Sequence, residues 1–270
     1  MILRDASKRL QAMAILTFLV MLMQTGQALE RYKRGESPQD GISYTLGLEY
    51  EEGDYGTGNT TEVWRIPFGI DYRQGRFIAG GSISYVSAES SGNIIIGTNR
   101  MRTIVSTTSS SESGLGDVRL YAGYNIPARD SADKIYHVIG YIKLPTADEN
   151  KGLGTGETDY AIEGGVLFKV DKAAIYTNLG YQFTGDTPTI NYKDVFYASV
   201  SATLPQPSGN SVGASLDYSQ SATPGFDDAL DLTGYLNMPL QNKRSLYLYL
   251  QLGLTDGSPD YGAGASYRFR

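Results

Sequence analysis

The sequence predicts an all-β protein, a twelve-stranded antiparallel transmembrane β-barrel, and three observations lead to this fold class. Polar and apolar residues alternate with a period of two along most of the chain, in long segments joined by connections that are alternately short and long. Strands of about nine to eleven residues tilted near 45° cross a bilayer, whereas strands of soluble proteins average about five to six residues. Short turns at one end and longer loops at the other are typical of outer-membrane barrels.

The amino-terminal segment has the pattern of a secretory signal. A short basic stretch precedes the apolar run Ala12–Met23, and the small residues Gly26 and Ala28 stand at positions −3 and −1 of a cleavage site. The apolar run is shorter than the roughly 20 residues that a retained anchor helix needs. We therefore expect a cleaved signal peptide over residues 1–28 and a single outer-membrane β-barrel domain over residues 29–270.

The alternation is clear in residues 62–73. One face carries Trp64 and Ile66, and the other carries Arg65 and Asp71. A strand that separates apolar from polar side chains in this way faces two different environments. Twelve segments follow the pattern, at about residues 42–50, 62–73, 76–87, 116–126, 134–144, 158–170, 173–184, 194–204, 210–219, 229–238, 244–254 and 260–269.

The connections support an even strand count with both termini on the short-turn side. Three of the short connections place a proline just after a strand end, at Pro127, Pro205 and Pro239, where it stops the ladder because it has no N–H to donate. The opposite set is mostly longer and polar. Its longest member, residues 88–115, is expected either to fold into the pore as a constriction or to extend outward as a hairpin.

Aromatic residues bracket the apolar rows. Amphipathic rings are stabilised at the boundary between lipid and water, so we expect them at both ends of each lipid-facing row. A large soluble β-sandwich or barrel is the alternative fold, since it also alternates. The predicted interface aromatics are Tyr44, Tyr50, Trp64, Tyr72, Tyr261 and Tyr267.

The other rows would face the lumen and carry charges of both signs. In a confined space such groups are usually paired, so a salt-bridged lumen that stabilises a narrow barrel is one interpretation. A constriction that selects solutes is the other. Its candidates form two sets expected to face each other, Arg65, Arg73 and Arg119 against Asp71, Asp117 and Glu163.

Tyrosines also point toward the predicted lumen. They would line a path for an aromatic solute by stacking and hydrogen bonding, or they would fill space in a small barrel. These candidates are Tyr121, Tyr176, Tyr235, Tyr247 and Tyr249.

Composition argues against several other functions. The net charge of −6 gives no reason to expect nucleic-acid binding. There is no cysteine and a single histidine, His137, so we expect neither a metal site nor a cofactor. A rim enzyme that uses His137 as its base is the least favoured function, because no serine stands beside that residue, and we expect no enzymatic activity.

Two stretches resemble a known family. Gly114–Val118 opens the fourth strand, and Lys143–Ala147 followed by Gly152–Gly156 links the fifth and sixth. Together they resemble the outer-membrane β-barrel family of meta-pathway phenol-degradation transporters. One departure is that Phe269 is followed by Arg270, whereas barrels of this kind commonly end on an aromatic residue.

The resemblance implies a channel-like protein in the outer membrane of a Gram-negative bacterium. Its partners would be outer-membrane lipid, the barrel assembly machinery and an unidentified small-molecule solute. We therefore expect passive passage of small solutes, among them aromatic or hydrophobic compounds. The alternatives are a closed structural or surface-interaction barrel without transport, and the rim enzyme.

Overall fold

The computed structural model describes residues 40–90, 94–96, 103–105, 111–129, 131, 133–188 and 190–270. The predicted signal peptide lies outside these residues. No helix in the described part of the chain is long and apolar enough to cross a membrane. A single 3₁₀ turn is present there, at Glu149–Lys151, between Asp148, which caps its amino end, and Gly152 in the left-handed conformation.

The described residues form fifteen strands. They are β1 (Gly41–Gly53), β2 (Thr61–Gln74), β3 (Phe77–Ser90), β4 (Ile94–Ile96), β5 (Thr103–Val105), β6 (Ser111–Leu115), β7 (Val118–Pro127), β8 (Lys134–Leu144), β9 (Asp159–Val170), β10 (Ala173–Phe183), β11 (Val195–Pro205), β12 (Ser211–Ser219), β13 (Ala229–Leu240), β14 (Arg244–Gly253) and β15 (Tyr261–Phe269).

Twelve of these strands close into a ring. Each of β1–β3 and β7–β15 pairs antiparallel with its neighbours in the chain, and β1 also pairs with β15, which brings Tyr44 opposite Phe269. Closure leaves none of these twelve strands with an unpaired side, as a spanning sheet requires in lipid. The predicted twelve-stranded antiparallel barrel is confirmed.

Residues 88–115 were predicted to form a loop, but parts of this segment form strands. Strand β3 continues to Ser90 and pairs with β6, with Tyr85 opposite Leu115 and Glu89 opposite Ser111. The fourth barrel strand therefore begins before residue 116, the predicted start. This extension lies beyond the bilayer, where no apolar face is required, so its polar sequence lacks the membrane pattern. Short strands β4 and β5 pair with each other beyond it.

The two faces of the barrel have inverted exposure. Along β2 the side chain of Trp64 is 47% exposed and that of Arg65 only 3%. Leu250 on β14 is 69% exposed, while Asp231 on β13 is 1% exposed. Apolar side chains on the outside and buried charges within are the reverse of a soluble protein, because the outer solvent of a membrane barrel is lipid.

Aromatic rings cluster at both ends of the lipid-facing rows of β15, β1 and β2. Near the long loops, Tyr50 contacts Trp64 at 4.8 Å and Tyr261 at 6.2 Å between ring centroids. Near the short turns, Tyr44 stacks on Phe269 at 5.6 Å. Phe68 and Tyr267 complete the cluster near the short turns. Tyr72 is also exposed on the outer face.

Candidate functional site: the barrel lumen

A buried ion pair lies in the lumen near the long loops. The Arg65 guanidinium donates to the Glu51 carboxylate at 2.8 Å, with the two side chains 3% and 1% exposed. Burying two charges is stabilising only where their geometry and remaining hydrogen bonds are good. The sequence analysis missed Glu51 because it assigned the residue to a loop. The alternation along the strand could have indicated its position, because Glu51 follows Glu49 by two residues and so lies in the same lumen-facing row.

Lys143 is the centre of a second buried cluster. Its ammonium lies 2.9 Å from the Asp159 carboxylate and 3.4 Å from that of Asp117, and it donates to the Thr155 hydroxyl at 2.9 Å. Asp117 also accepts the backbone N–H groups of Thr146 and Ala147, each at 3.0 Å. These donors fix the orientation of the Asp117 carboxylate.

Charge partners differ from the predicted ones at several positions. Asp71 pairs with Arg268 and accepts a hydrogen bond from the Tyr121 hydroxyl. Arg119 lies within electrostatic range of Asp117 and of Asp159. Arg73 is half-buried near the short turns, one residue before the end of β2. The partner of Asp71 was not predicted, because cross-strand register, which decides the partner, is not readable from one strand alone.

His137 and Glu163 form a third group, nearer the short turns. The His137 ring stacks on Tyr176 with 4.9 Å between centroids, and its Nε2 lies 3.1 Å from the Tyr176 hydroxyl. The nearest Glu163 oxygen is 3.8 Å from the same nitrogen. His137 is 4% exposed. The ring is therefore held among polar neighbours within the wall.

Three inward-facing tyrosines lie flat against glycines of the neighbouring strand. A Cβ added to Gly264 would overlap the Tyr249 ring, and one added to Gly213 would overlap the Tyr235 ring. Gly80 has the same relation to Tyr121. With no side chain beneath it, each ring covers the backbone of the next strand instead of projecting into the centre. The lumen is thus lined rather than filled at these positions.

The tyrosines form two opposed aromatic faces. In the ring of strands, β7 is six steps from β13 and β8 is six steps from β14, so these pairs lie on opposite walls. Tyr121 and Tyr141 stand 6.1 Å apart on one wall. On the other, Tyr247 lies 5.4 Å from Tyr235 and 6.1 Å from Tyr249. All five are half-buried, which leaves their faces accessible within the lumen.

A loop residue packs inside the long-loop end of the lumen. Residues 145–158 bring Leu153, 3% exposed, against Val63, Val86 and Ala88. The prediction named residues 88–115 as the segment that folds in or extends outward. Among the described residues it is the 145–158 loop that folds in, because its backbone is tied to Asp117 and its tip has an apolar partner inside the barrel.

A second inward contact comes from residues 184–194. Tyr192, 8% exposed, packs on Val195 and Ala222. Burial, together with the negative charge of Asp159, raises the pKa of the Tyr192 hydroxyl above its usual value. Two loops therefore narrow the mouth from different sides.

A hollow of about 1130 Å³ lies on the wall of β13, β14, β15 and β1. Most of its lining consists of outward-facing side chains such as Leu48 and Leu250, and the small residues Gly234 and Ala263 deepen it. Acyl chains of the membrane fill such a groove. It is therefore part of the lipid-facing surface.

An apolar outer wall, aromatic belts at both rims and a charged interior define an integral β-barrel of the outer membrane. A family model described as "Putative MetA-pathway of phenol degradation" matches residues 37–270. The chain belongs to this family, which confirms the resemblance noted in the sequence.

Solved structures share the fold at low sequence identity. An outer-membrane channel from Pseudomonas putida F1 is 14% identical, with a TM-score of 0.64 over 86% of this chain and 96% of that one. The β domain of the Bordetella autotransporter BrkA is 14% identical, with a TM-score of 0.52 over 85% and 98% of the two chains. The NanC porin is 10% identical, with a TM-score of 0.52 over 84% and 99%. No functionally curated protein matches the sequence.

Proposed function

We propose that this protein is a passive outer-membrane channel for small hydrophobic solutes, including aromatic ones. The observation that carries the proposal is the pair of opposed tyrosine faces, on β7–β8 and β13–β14, which remain half-buried within a closed barrel. An aromatic solute gains from stacking in offset or edge-to-face geometry on such rings. The family's phenol-degradation description and the channel from Pseudomonas putida F1 give the proposal further support.

The charged residues of the lumen would set which solutes pass between the tyrosine faces. Paired charges in a narrow, low-dielectric passage disfavour an isolated ion, whereas an uncharged solute loses little on desolvation. The constriction candidates remain Arg65, Asp71, Arg73, Asp117, Arg119 and Glu163. Replacing half-buried Arg73 by glutamate should move the reversal potential under a salt gradient toward cation preference, and an unchanged potential would argue against a role for this residue.

The function is tested by solute uptake in cells with an intact lipopolysaccharide leaflet, which is a barrier to small hydrophobic molecules. Cells that contain the barrel should take up phenol at low concentration faster than cells that lack it, while uptake of xylitol should change little. The matched control is the Gly234→Ala variant, whose new methyl group meets no atom within 4 Å. Equal phenol uptake with and without the barrel would exclude the channel.

A second candidate is a closed barrel without transport. The observation in its favour is the occupied mouth, where Leu153 is buried among interior side chains. This candidate predicts neither single-channel conductance nor solute uptake in the wild type, and no gain of either when Leu153 is shortened to alanine. Under the channel proposal, uptake is present in the wild type.

The proposal also covers cleavage of the signal peptide, insertion into the membrane and enzymatic activity. We propose cleavage of residues 1–28, insertion by the barrel assembly machinery, and no enzymatic activity. Amino-terminal sequencing of protein recovered from outer membranes should begin at Leu29.

A further inference from the structure

The loop of residues 145–158 is held differently at its base and at its tip. At the base, Asp117 accepts the backbone N–H groups of Thr146 and Ala147, each at 3.0 Å. At the tip, Leu153 makes an apolar contact with the wall, Lys143 donates to Thr155, and the backbone of Gly154 packs against the Asp117 carboxylate. Packing therefore holds the tip, whereas two backbone hydrogen bonds hold the base.

The release of the tip leaves no buried charge without a partner. Lys143 keeps the Asp159 carboxylate at 2.9 Å and the Asp117 carboxylate at 3.4 Å when its bond to Thr155 is lost. Truncating one partner of a buried pair is costly because the other charge is then uncompensated. That cost does not arise for this movement, so the restraint on the tip is packing, in which Leu153 is the one large apolar side chain.

Leu153 occupies a seat formed by Val63, Val86, Ala88 and the open side of Gly114. A Cβ added to Gly114 would lie 2.8 Å from a methyl group of Leu153, so the absence of a side chain there makes room for the leucine. These residues are all lumen-facing, since their strand neighbours Trp64 and Tyr85 are exposed on the outside. The seat is thus an apolar recess inside the mouth of an otherwise charged passage.

The seat is adjacent to the charged level of the lumen. Val86 pairs with Arg65 across β2 and β3, and Arg65 pairs with Glu49 across β1 and β2. Glu49 pairs in turn with Gly264, over which the Tyr249 ring lies. A solute that leaves the seat therefore meets the charged residues and then one of the two tyrosine faces.

We propose that the seat of Leu153 is the access site for the solute, and that Leu153 is an internal occupant that the solute displaces. The ligand class is a small uncharged molecule with a ring or branched hydrocarbon of about leucine size. A polar molecule of the same size gains nothing from the recess, because Val63, Val86 and Ala88 offer it no hydrogen bond. The inference rests on the proposed channel function and assigns its first binding step.

The displacement can be measured without any transport assay. The chain contains no cysteine, so a Leu153→Cys, Ala88→Cys double variant has two thiols and no background. A short bifunctional methanethiosulfonate reagent should link them quickly when the tip is seated. The matched control is Ser211→Cys with Asn237→Cys, a directly opposed pair on β12 and β13 away from the loop.

Phenol should slow the cross-linking of the 153–88 pair severalfold in a saturable manner, whereas xylitol should not, and neither should affect the 211–237 pair. In Leu153→Ala the competitor is shortened, so phenol uptake should reach half its maximal rate at a roughly tenfold lower concentration. A Leu250→Ala variant, altered on the lipid face, should behave as the wild type.

The possible failures are distinguishable. If phenol does not slow the 153–88 reaction, or xylitol slows it equally, the seat is not the access site, even where uptake by the wild type is normal. If phenol slows the reaction but the wild type takes up no phenol, the seat binds solute and the channel function is wrong. Circular dichroism of each variant verifies that the barrel is folded.

Discussion

The two halves of the lumen differ in what dominates their lining, although the short-turn half also contains the Asp71–Arg268 pair and His137 beside Glu163. Near the long loops, charged side chains are buried in pairs and clusters, and loop residues pack into the barrel, as the Lys143 cluster and Leu153 illustrate. Near the middle and the short turns, tyrosine rings lie on glycines, and their hydroxyls are held by wall residues, as Thr203 holds Tyr235 at 2.6 Å. The first half anchors loop residues at the mouth, and the second half lines the passage with aromatic rings.

Because of this difference, the two halves should affect different properties, the free energy of unfolding in one case and the passage of solute in the other. A buried charge that loses its partner affects the whole fold, whereas a ring that shifts by an ångström affects mainly the shape of the passage. Substitutions in the loop half should therefore change unfolding most, and substitutions in the tyrosine half should change uptake most. The predictions below test that separation, from the largest expected effect to the smallest.

Lys143→Met should give the largest loss of stability. It removes the ammonium that lies nearest to the buried Asp117 and Asp159 carboxylates and leaves only the more distant Arg119, and removing one partner of a buried pair costs about 3–5 kcal/mol. Urea unfolding in lipid vesicles measures the effect. Lys151→Met, on the exposed side of the same loop, should stay within about 0.5 kcal/mol of the wild type. Equal stability of the two variants would contradict the assigned role of Lys143.

Gly264→Ala should be destabilising by about 1–3 kcal/mol, because the new methyl group overlaps the Tyr249 ring and forces it off the wall. Phenol uptake should fall as well, since the displaced ring enters the passage. Gly234→Ala on the neighbouring wall, where the methyl group points into open space, should change neither property. Matching behaviour of the two variants would show that the ring does not rest on the glycine.

Tyr235→Phe should separate the ring from its hydroxyl. Loss of the hydrogen bond to Thr203 should cost about 1 kcal/mol of unfolding free energy. Phenol uptake should remain near that of the wild type because the aromatic face is kept, and Tyr235→Ala should lower it. If the phenylalanine variant loses uptake as fully as the alanine variant, the hydroxyl rather than the ring face guides the solute.

Asp260→Asn should have the smallest effect, confined to a pH window. Burial, and secondly the negative charges of Asp54, Glu52 and Asp256, raise the pKa of the Asp260 carboxyl above its usual 3.8. The folded state therefore binds this proton more tightly than the unfolded one, and stability is lost as pH rises from 3.8 through the raised pKa. The asparagine variant should lack this loss, and a wild-type profile that rises over the same window would contradict the assignment.

The sequence predicted the strands and faces well because the bilayer imposes a strict period on every spanning segment. The twelve segments and the outward position of Trp64 follow from that period alone. The two-residue period does not continue beyond the membrane, so β6 was missed and Glu51 was assigned to a loop. Nor does it encode register, which decides that Asp71 pairs with Arg268.

The inward fold of the 145–158 loop was also beyond sequence reasoning. The glycines of this loop were recognised as a family mark, but their spacing does not show where Leu153 packs. That contact depends on the missing side chain of Gly114 and on a recess formed by two other strands. A long-range contact of this kind has no local signal.

Locking the mouth tests the central claim, that solute crosses through the lumen past the seat of Leu153. Phenol uptake would be measured in cells that carry the Leu153→Cys, Ala88→Cys variant before cross-linking, after cross-linking and after the linker is cleaved by a reductant. The account predicts uptake near that of cells without the barrel while the link is in place, and recovery on cleavage. Uptake that persists at the open rate with the tip locked in its seat would contradict it.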